Sequence, residues 1–309
     1  MILKMNDYNH LEIARIIGEP KDPRRPYPDL VDAICEVDSA DPNEYVYYFD
    51  VIFDTDYVIS TVAAGTTTTN VSPYTPTLLT FLDIATNEYY VKITDLAISK
   101  ERVLARKKVT INRSLNAIEN QKIVDLLDAA AIARGNLNDL RSGETSFNYR
   151  YVIDMIDQII DYSETYVLVA GTAIDKDIKL MDWKDNKFQS SIEAFKALGV
   201  EVVRINQPYT YDTASVTGGV LSANICYIAG VQTEMGKPLL FVRKRMNEIE
   251  KLGGVISETG DKAERLVFVS PNPVQVSTTR YLAVALTGYE QIIAATINSY
   301  AISKFTRTV

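Results

Sequence analysis

The chain has 309 residues with 32 basic and 40 acidic side chains, a net charge of −8, and 47% apolar residues. That balance suits an ordinary globular protein of about two folding units and argues against a dedicated nucleic-acid binder, which carries a basic excess. A single histidine, His10, and two cysteines outside any Cys-x-x-Cys motif, Cys35 and Cys226, exclude a His-rich zinc site, a zinc ribbon and a thioredoxin-type redox motif.

In chain order, residues 1–44 read as an irregular arm. Pro20, Pro23, Pro26 and Pro28 interrupt any continuous helix or central strand there. The opening residues lack the basic and then apolar regions of a secretion signal, and no apolar run is long enough to span a bilayer. Residues 45–98 read as β. Val46, Tyr48, Asp50, Ile52 and Asp54 share one face of a strand and Tyr47, Phe49, Val51 and Phe53 the other. A tip at 63–70 follows, and the chain returns through Leu78–Leu82 and Tyr89–Ile93. Two strands of that length bury little alone and need a surface to lie on.

A helix is predicted over 114–134, with Ser114 as N-cap, Gly135 as terminator and an apolar stripe of Ile118, Ile123, Leu126, Leu127 and Ala130. A second covers 149–162, with Val152, Met155, Ile156, Ile159 and Ile160 opposite Asp154, Asp157 and Asp161. It leads into a buried strand, Tyr166–Ala170. A third helix spans 188–198, with Phe188, Ile192, Phe195 and Leu198 on one face, and Gly199 hands it to strand Val200–Ile205. Strands follow at 224–229, 238–242 and 266–270, and two more at 281–287 and 291–296. The class is α+β.

Charge is unevenly placed. Residues 26–91 hold eleven acids and no lysine or arginine, while residues 92–309 hold 27 bases and 25 acids. Soon after the acidic stretch comes Lys100-Glu101-Arg102-Val103-Leu104-Ala105-Arg106-Lys107-Lys108, with five bases and one acid. Two solvated faces would explain this. The sharper reading sets the acidic segment against a basic surface, on another copy of the chain if the segment projects.

Catalytic constellations are weak. Gly230–Pro238 looks like a phosphate loop, but its spacing is off by one and Pro238 stands where a Mg²⁺-binding hydroxyl belongs, so a turn is expected. Asp175, Asp177, Asp182 and Asp185 suggest a calcium loop without its central glycine or terminal glutamate. Asp54 and Asp56 share a strand face and could hold a metal, although a charged hairpin edge explains them more simply. The cysteines read as free thiols, with a Cys35–Cys226 disulfide as the alternative.

The order of arm, long hairpin, helix, mixed α/β region and β-rich tail resembles the major capsid protein of tailed bacteriophages, the fold named after phage Hong Kong 97 and shared with encapsulin compartments. The resemblance implies an N-terminal arm at 1–44, an extended E-loop hairpin and its base at 45–98, and a peripheral domain with spine helix at 99–164. It further implies an axial domain at 165–240, a peripheral return at 241–287 and a C-terminal strand region at 288–309. It implies an E-loop lying across a neighbouring subunit, with Asp50, Asp54, Asp56 and Tyr57 meeting a landing surface drawn from Lys100, Arg102, Arg106, Lys107, Lys108, Arg243, Lys244 and Arg245.

The function implied is self-assembly, in hexamers and pentamers, into an icosahedral shell around double-stranded DNA, without catalysis, metal or cofactor. A separate scaffolding protein and a portal are the other expected partners. Assembly in a host cytoplasm and residence in the virion follow. The lysine–asparagine weld of some members cannot form from the hairpin here, because residues 26–91 contain no lysine. An encapsulin-type shell around a protein cargo is the alternative, and a carboxylate-metal enzyme the third.

Overall fold

The computed structural model describes residues 29–44, 46–50, 76–86, 88–181, 190–205, 208–209, 218–233, 236–245, 255–257, 264–269, 274–276 and 281–307. Asp29 precedes the first described helix. Its carboxylate accepts the Val31 N–H at 3.0 Å and starts a five-residue helix, α1 (Leu30–Ile34), which buries Leu30, Val31 and Ile34 completely. Strand β1 (Cys35–Ala40) follows at once. The stretch expected to stay irregular through residue 44 therefore contains a helix and a strand, because three apolar side chains in five residues repay the cost of ordering it.

Next come β2 (Val46–Asp50), β3 (Pro76–Thr80), β4 (Leu82–Ala85) and β5 (Tyr89–Lys92). The antiparallel β2–β3 pair sets Val46 opposite Thr80 and Asp50 opposite Pro76. Helix α2 then runs for 42 residues, Ile93–Arg134, about 63 Å at 1.5 Å per residue. It begins 21 residues before the expected start at Ser114. That serine is no cap. Its hydroxyl donates back to the Thr110 carbonyl at 3.2 Å and lies 2.6 Å from the Tyr89 hydroxyl. Gly135, at φ 71°, closes the helix as expected.

After α2 the chain forms β6 (Leu137–Asp139), α3 (Tyr149–Asp157), a 3₁₀ turn at Ile160–Tyr162, β7 (Tyr166–Ala170), α4 (Thr172–Leu180), α5 (Ser191–Ala197) and β8 (Val200–Arg204). Two-residue strands β9 (Pro208–Tyr209) and β10 (Gly218–Gly219) pair with each other. Then follow β11 (Ile225–Gly230), β12 (Leu239–Lys244), β13 (Val255–Ser257), β14 (Arg265–Val269), β15 (Val274–Val276), β16 (Tyr281–Thr296) and β17 (Ile302–Thr306).

Besides the β2–β3 and β9–β10 pairs, two larger sheets form among the described residues. In the first, of eight strands, β16 is the hub: β12, β14 and β15 pair with successive stretches of it, as do β4 and β5. β1 adds beside β12, in parallel. The second sheet has the order β6-β17-β11-β7-β8. Strand β7 is buried at all five positions because both its faces are covered. Val167 and Val169 face the cluster built on α2. Tyr166, Leu168 and Ala170 face a cluster with Val152, Met155, Ile159, Ile174, Ala194 and Phe195 of α3, α4 and α5. Ile160, expected on that apolar face, is 55% exposed, because α3 ends at Asp157 and the 3₁₀ turn redirects the chain.

Helix α2 is the shared element. Ile111, Leu115, Ile123 and Leu127 pack with Ile84, Val91, Phe241 and Ile292 of the first sheet and with Val167, Val169, Tyr227 and Ile302 of the second. At one point it approaches β16 so closely that only glycine fits: a Cβ on Gly288 would lie 2.2 Å from Ile111 Cγ2. The region read as two strands, 281–287 and 291–296, is therefore one strand whose middle is small for packing. It is not a turn. Gly288→Ala should destabilise the chain by about 2 kcal/mol. The double variant Gly288→Ala/Ile111→Ala should lose less than the sum of the singles in urea unfolding.

Both cysteines are buried free thiols, Cys35 in the cluster on α2 and Cys226 in the other. Burial pushes the Cys35 thiol up to about 12, and the Cys226 thiol is raised by the same cause, so both are inert.

Candidate assembly surface and buried charge cluster

The basic run Lys100–Lys108 lies within the first half of α2. At about 100° per residue the five basic positions are spread around the whole helix circumference. Such a stretch is poorly suited to burial inside a single chain. Among its described side chains, Val103 packs against the core and Lys107 is half-buried. Of the residues expected to meet that run, Asp50 closes β2 opposite Pro76, and Asp54, Asp56 and Tyr57 lie outside the described residues.

The other three candidate bases are engaged within the chain. Arg243 donates to Glu119 through Nε at 2.9 Å and Nη2 at 3.2 Å. Lys244 is buried, its ammonium 5.3 Å from the Phe81 ring centroid. Arg245 donates to the Ser39 hydroxyl at 2.9 Å and lies 3.5 Å from the Asp41 carboxylate. The triplet sits on β12 and its end, next to β1, so its contacts hold those two strands and α2 together.

Sequence reasoning missed the cluster to which Arg243 belongs. Glu119 on α2 is 1% exposed and Glu290 on β16 is fully buried. Arg265 of β14 bridges them, with Nη2 to Glu119 Oε2 at 2.6 Å and Nε to Glu290 Oε2 at 2.8 Å. The chain of contacts is thus Arg243, Glu119, Arg265, Glu290. Four elements meet there: α2, β12, β14 and β16. Burial works against the charge on Arg243, but the hydrogen bonds and charge of Glu119 outweigh it and push its pKa up. On Arg265 burial is likewise overcome by the charges of Glu119 and Glu290. Asp29, at the head of α1, is raised by burial and then by Glu119. The signal available in sequence was Glu290, the one charged residue between positions 281 and 296.

A second contact ties α2 to the other sheet. Asp128 accepts the Tyr227 hydroxyl at 2.8 Å and the Lys304 ammonium at 2.6 Å. Burial would raise the Asp128 carboxyl, but those two donors hold it below its ordinary range.

The metal candidates do not come together among the described residues, where no group of three or more His, Cys, Asp or Glu side chains could hold an ion. Asp175 bridges Lys179 and Arg204, each at 2.5 Å, and Asp177 pairs with Arg307 at 3.1 Å and accepts the Phe147 N–H at 2.9 Å. Both lie on α4, a regular helix where a calcium loop would need turns. Asp182 and Asp185 lie outside the described residues, as do Asp54 and Asp56. The Gly230–Pro238 segment turns from β11 to β12. Thr233 and Gly236 exchange backbone hydrogen bonds, Gly236 sits at φ 82°, and the Lys237 ammonium donates to the Asp32 carbonyl. No helix among the described residues is long and apolar enough to cross a membrane.

No protein-family model matches this chain, and no curated protein matches it either. Solved structures do. The capsid structure of cyanophage P-SCSP1u is 10% identical, with a TM-score of 0.55 over 94% of this chain and 91% of that one. A structure from Mycobacterium phage Cain is 12% identical, with a TM-score of 0.57 over 97% and 98%. The capsid of an empty GTA particle is 10% identical, with a TM-score of 0.54 over 94% of each chain. The chain therefore has the α+β fold of phage capsid subunits, the one named after phage Hong Kong 97.

Proposed function

We propose that this chain is a major capsid protein, a structural subunit without catalysis, whose copies assemble through hexamers and pentamers into an icosahedral shell. The observation that carries this is the end-to-end likeness to the cyanophage and GTA capsid subunits, more than nine-tenths of both chains in each case. The charge map supports it. An acidic hairpin without a lysine or arginine and a helix ringed with bases are complementary surfaces on different parts of one chain, so copies can bind head to tail around a closed ring. With Arg243, Lys244 and Arg245 engaged inside the chain, the landing surface is the α2 run of Lys100, Arg102, Arg106, Lys107 and Lys108. It receives the segment bearing Asp50, Asp54, Asp56 and Tyr57. Each exposed pair contributes only about 0–1 kcal/mol, which lets misplaced subunits leave before the shell closes. A separate scaffolding protein and a portal complete the assembly, double-stranded DNA fills it, and the virion is its location after assembly in the host cytoplasm.

Electron microscopy and light scattering of the purified chain, alone and with its scaffold, test this. Closed particles are expected, and replacing all five bases of the run by glutamate should abolish them while leaving a folded subunit. A chain that stays monomeric under every salt and scaffold condition would overturn the reading. Nucleic acid co-purifying with the particles supports a genome shell. A stoichiometric protein cargo in its place would make it a compartment.

A further inference from the structure

We infer that the buried charge cluster is a proton-operated joint between α2 and the eight-stranded sheet, in which Glu290 holds a proton at mildly acidic pH and its ionisation loosens the helix from the sheet. This inference is independent of assembly and is read on the unassembled chain.

The geometry singles out Glu290. The two oxygens of Glu119 accept three N–H groups from two guanidiniums, Arg243 at 2.9 and 3.2 Å and Arg265 at 2.6 Å. Among the described residues Glu290 receives only the Arg265 Nε, and its Oε1 is buried without a hydrogen-bond partner. Two carboxylates thus share Arg265, and Glu119 is the better supplied. An ionised carboxylate with a buried, unpartnered oxygen is costly, and a proton on that oxygen removes the charge.

The surroundings agree from every side. β14 presents Arg265, β12 presents Arg243 and α2 presents Glu119, with Asp29 of the α1 cap adding a further negative charge beside Glu119. β4, paired with β16 at Ile84, carries Asp83, whose carboxylate is engaged by Tyr289 and Gln291, the residues flanking Glu290. Burial, and then the charge of Glu119, pushes the Glu290 carboxyl up to about 7, with Arg265 acting the other way.

The direction of the effect follows from linkage. An unfolded glutamate loses its proton near 4.5, whereas the folded chain keeps it up to about 7. The contribution is therefore complete below the lower value, declines as pH rises between the two, and is gone above the upper one. Loosening comes with alkali, unlike the acid weakening of ordinary paired carboxylates.

The test compares urea unfolding and hydrogen exchange of α2 amides between about pH 5 and pH 8.5, in wild type and Glu290→Gln. Wild type should lose on the order of a hundredfold in its folding equilibrium relative to the variant across that range. Protection of the α2 amides should fall in step. The variant should match or exceed wild type at the alkaline end. Parallel profiles for the two proteins would overturn the inference. If Glu290→Gln does not fold, infrared spectroscopy of Asp29→Asn decides. A buried protonated carboxyl band should be present at the acidic end and lost at the alkaline end, and its absence at the acidic end would equally overturn it.

Discussion

Glu119→Ala should cost about 3–5 kcal/mol in urea unfolding of the full chain, the typical penalty for removing one partner of a buried ion pair. The variant leaves Arg243 and Arg265, with side chains 16% and 17% exposed, without the carboxylate that bonds to both. It also removes the only acid of the cluster carried on α2, so the helix loses its polar attachment to β12 and β14. Glu119→Gln, which keeps an acceptor and loses the charge, should fall between wild type and alanine. The comparison that isolates burial is Lys179→Ala. Its partner is Asp175 one turn away, and with the lysine side chain 54% exposed the change should stay within about 1 kcal/mol. Equal losses at the two sites would show that the cluster is solvated.

Gly171→Ala should be the most damaging glycine-to-alanine change among the described residues, with a loss of about 3 kcal/mol, the upper end of the range for overpacking. Gly171 joins β7 to α4, and a Cβ there would lie 2.2 Å from the Ser222 carbonyl oxygen, 2.8 Å from that of Ala223 and 2.9 Å from that of Ile225. All three are main-chain atoms held in place. The Ala223 carbonyl accepts the Ala173 N–H at 2.9 Å and the Ile225 carbonyl accepts Gly171's own N–H at 3.0 Å. No side chain can swing aside, in contrast to Ile111 over Gly288. Thermal melting against Gly143→Ala separates space from backbone freedom. Gly143 sits at φ 89° with nothing within 4 Å of its Cβ, so its alanine variant suffers conformational strain alone. A smaller loss at Gly171 than at Gly143 would refute the crowding argument.

Local signals were readable where one side chain after another reports the same environment. Tyr166–Ala170 is apolar at five successive positions and proves to be a strand covered on both faces. Val152, Met155, Ile156 and Ile159 repeat at helical spacing and are all buried. Gly135 ends α2 where it was placed. The first half of α2 was invisible because its bases recur on all sides and leave no apolar stripe. A more useful sign was that 42 consecutive residues, Ile93–Arg134, contain neither glycine nor proline. Strand β16 looked broken at Gly288 because the reason for that glycine, Ile111, stands 177 positions earlier in the chain. Helix α4 was masked by its own acids, which pair with Lys179, Arg204 and Arg307 once folded. Beyond the isolated Glu290, the charge cluster had no local signature, since its members at 119, 243, 265 and 290 meet only after both the helix and the sheet exist. Of the proposed assembly surface, the sequence shows the imbalance of charge and the structure shows that Arg243, Lys244 and Arg245 are engaged within the chain.

The late position of β16 and β17 governs when this molecule can become itself. β16 is the hub of one sheet, and β17, at 302–306, lies between β6 and β11 in the other. Until those residues leave the ribosome, α2 has its apolar flanks uncovered and neither sheet can zip shut. Folding of both sheets is thus dominated by distant contacts, of the slow kind. A nascent polypeptide on a crowded polysome cannot display a finished surface to its neighbours. Chaperone demand should accordingly be high, and premature aggregation at the uncovered helix is the hazard that the topology creates.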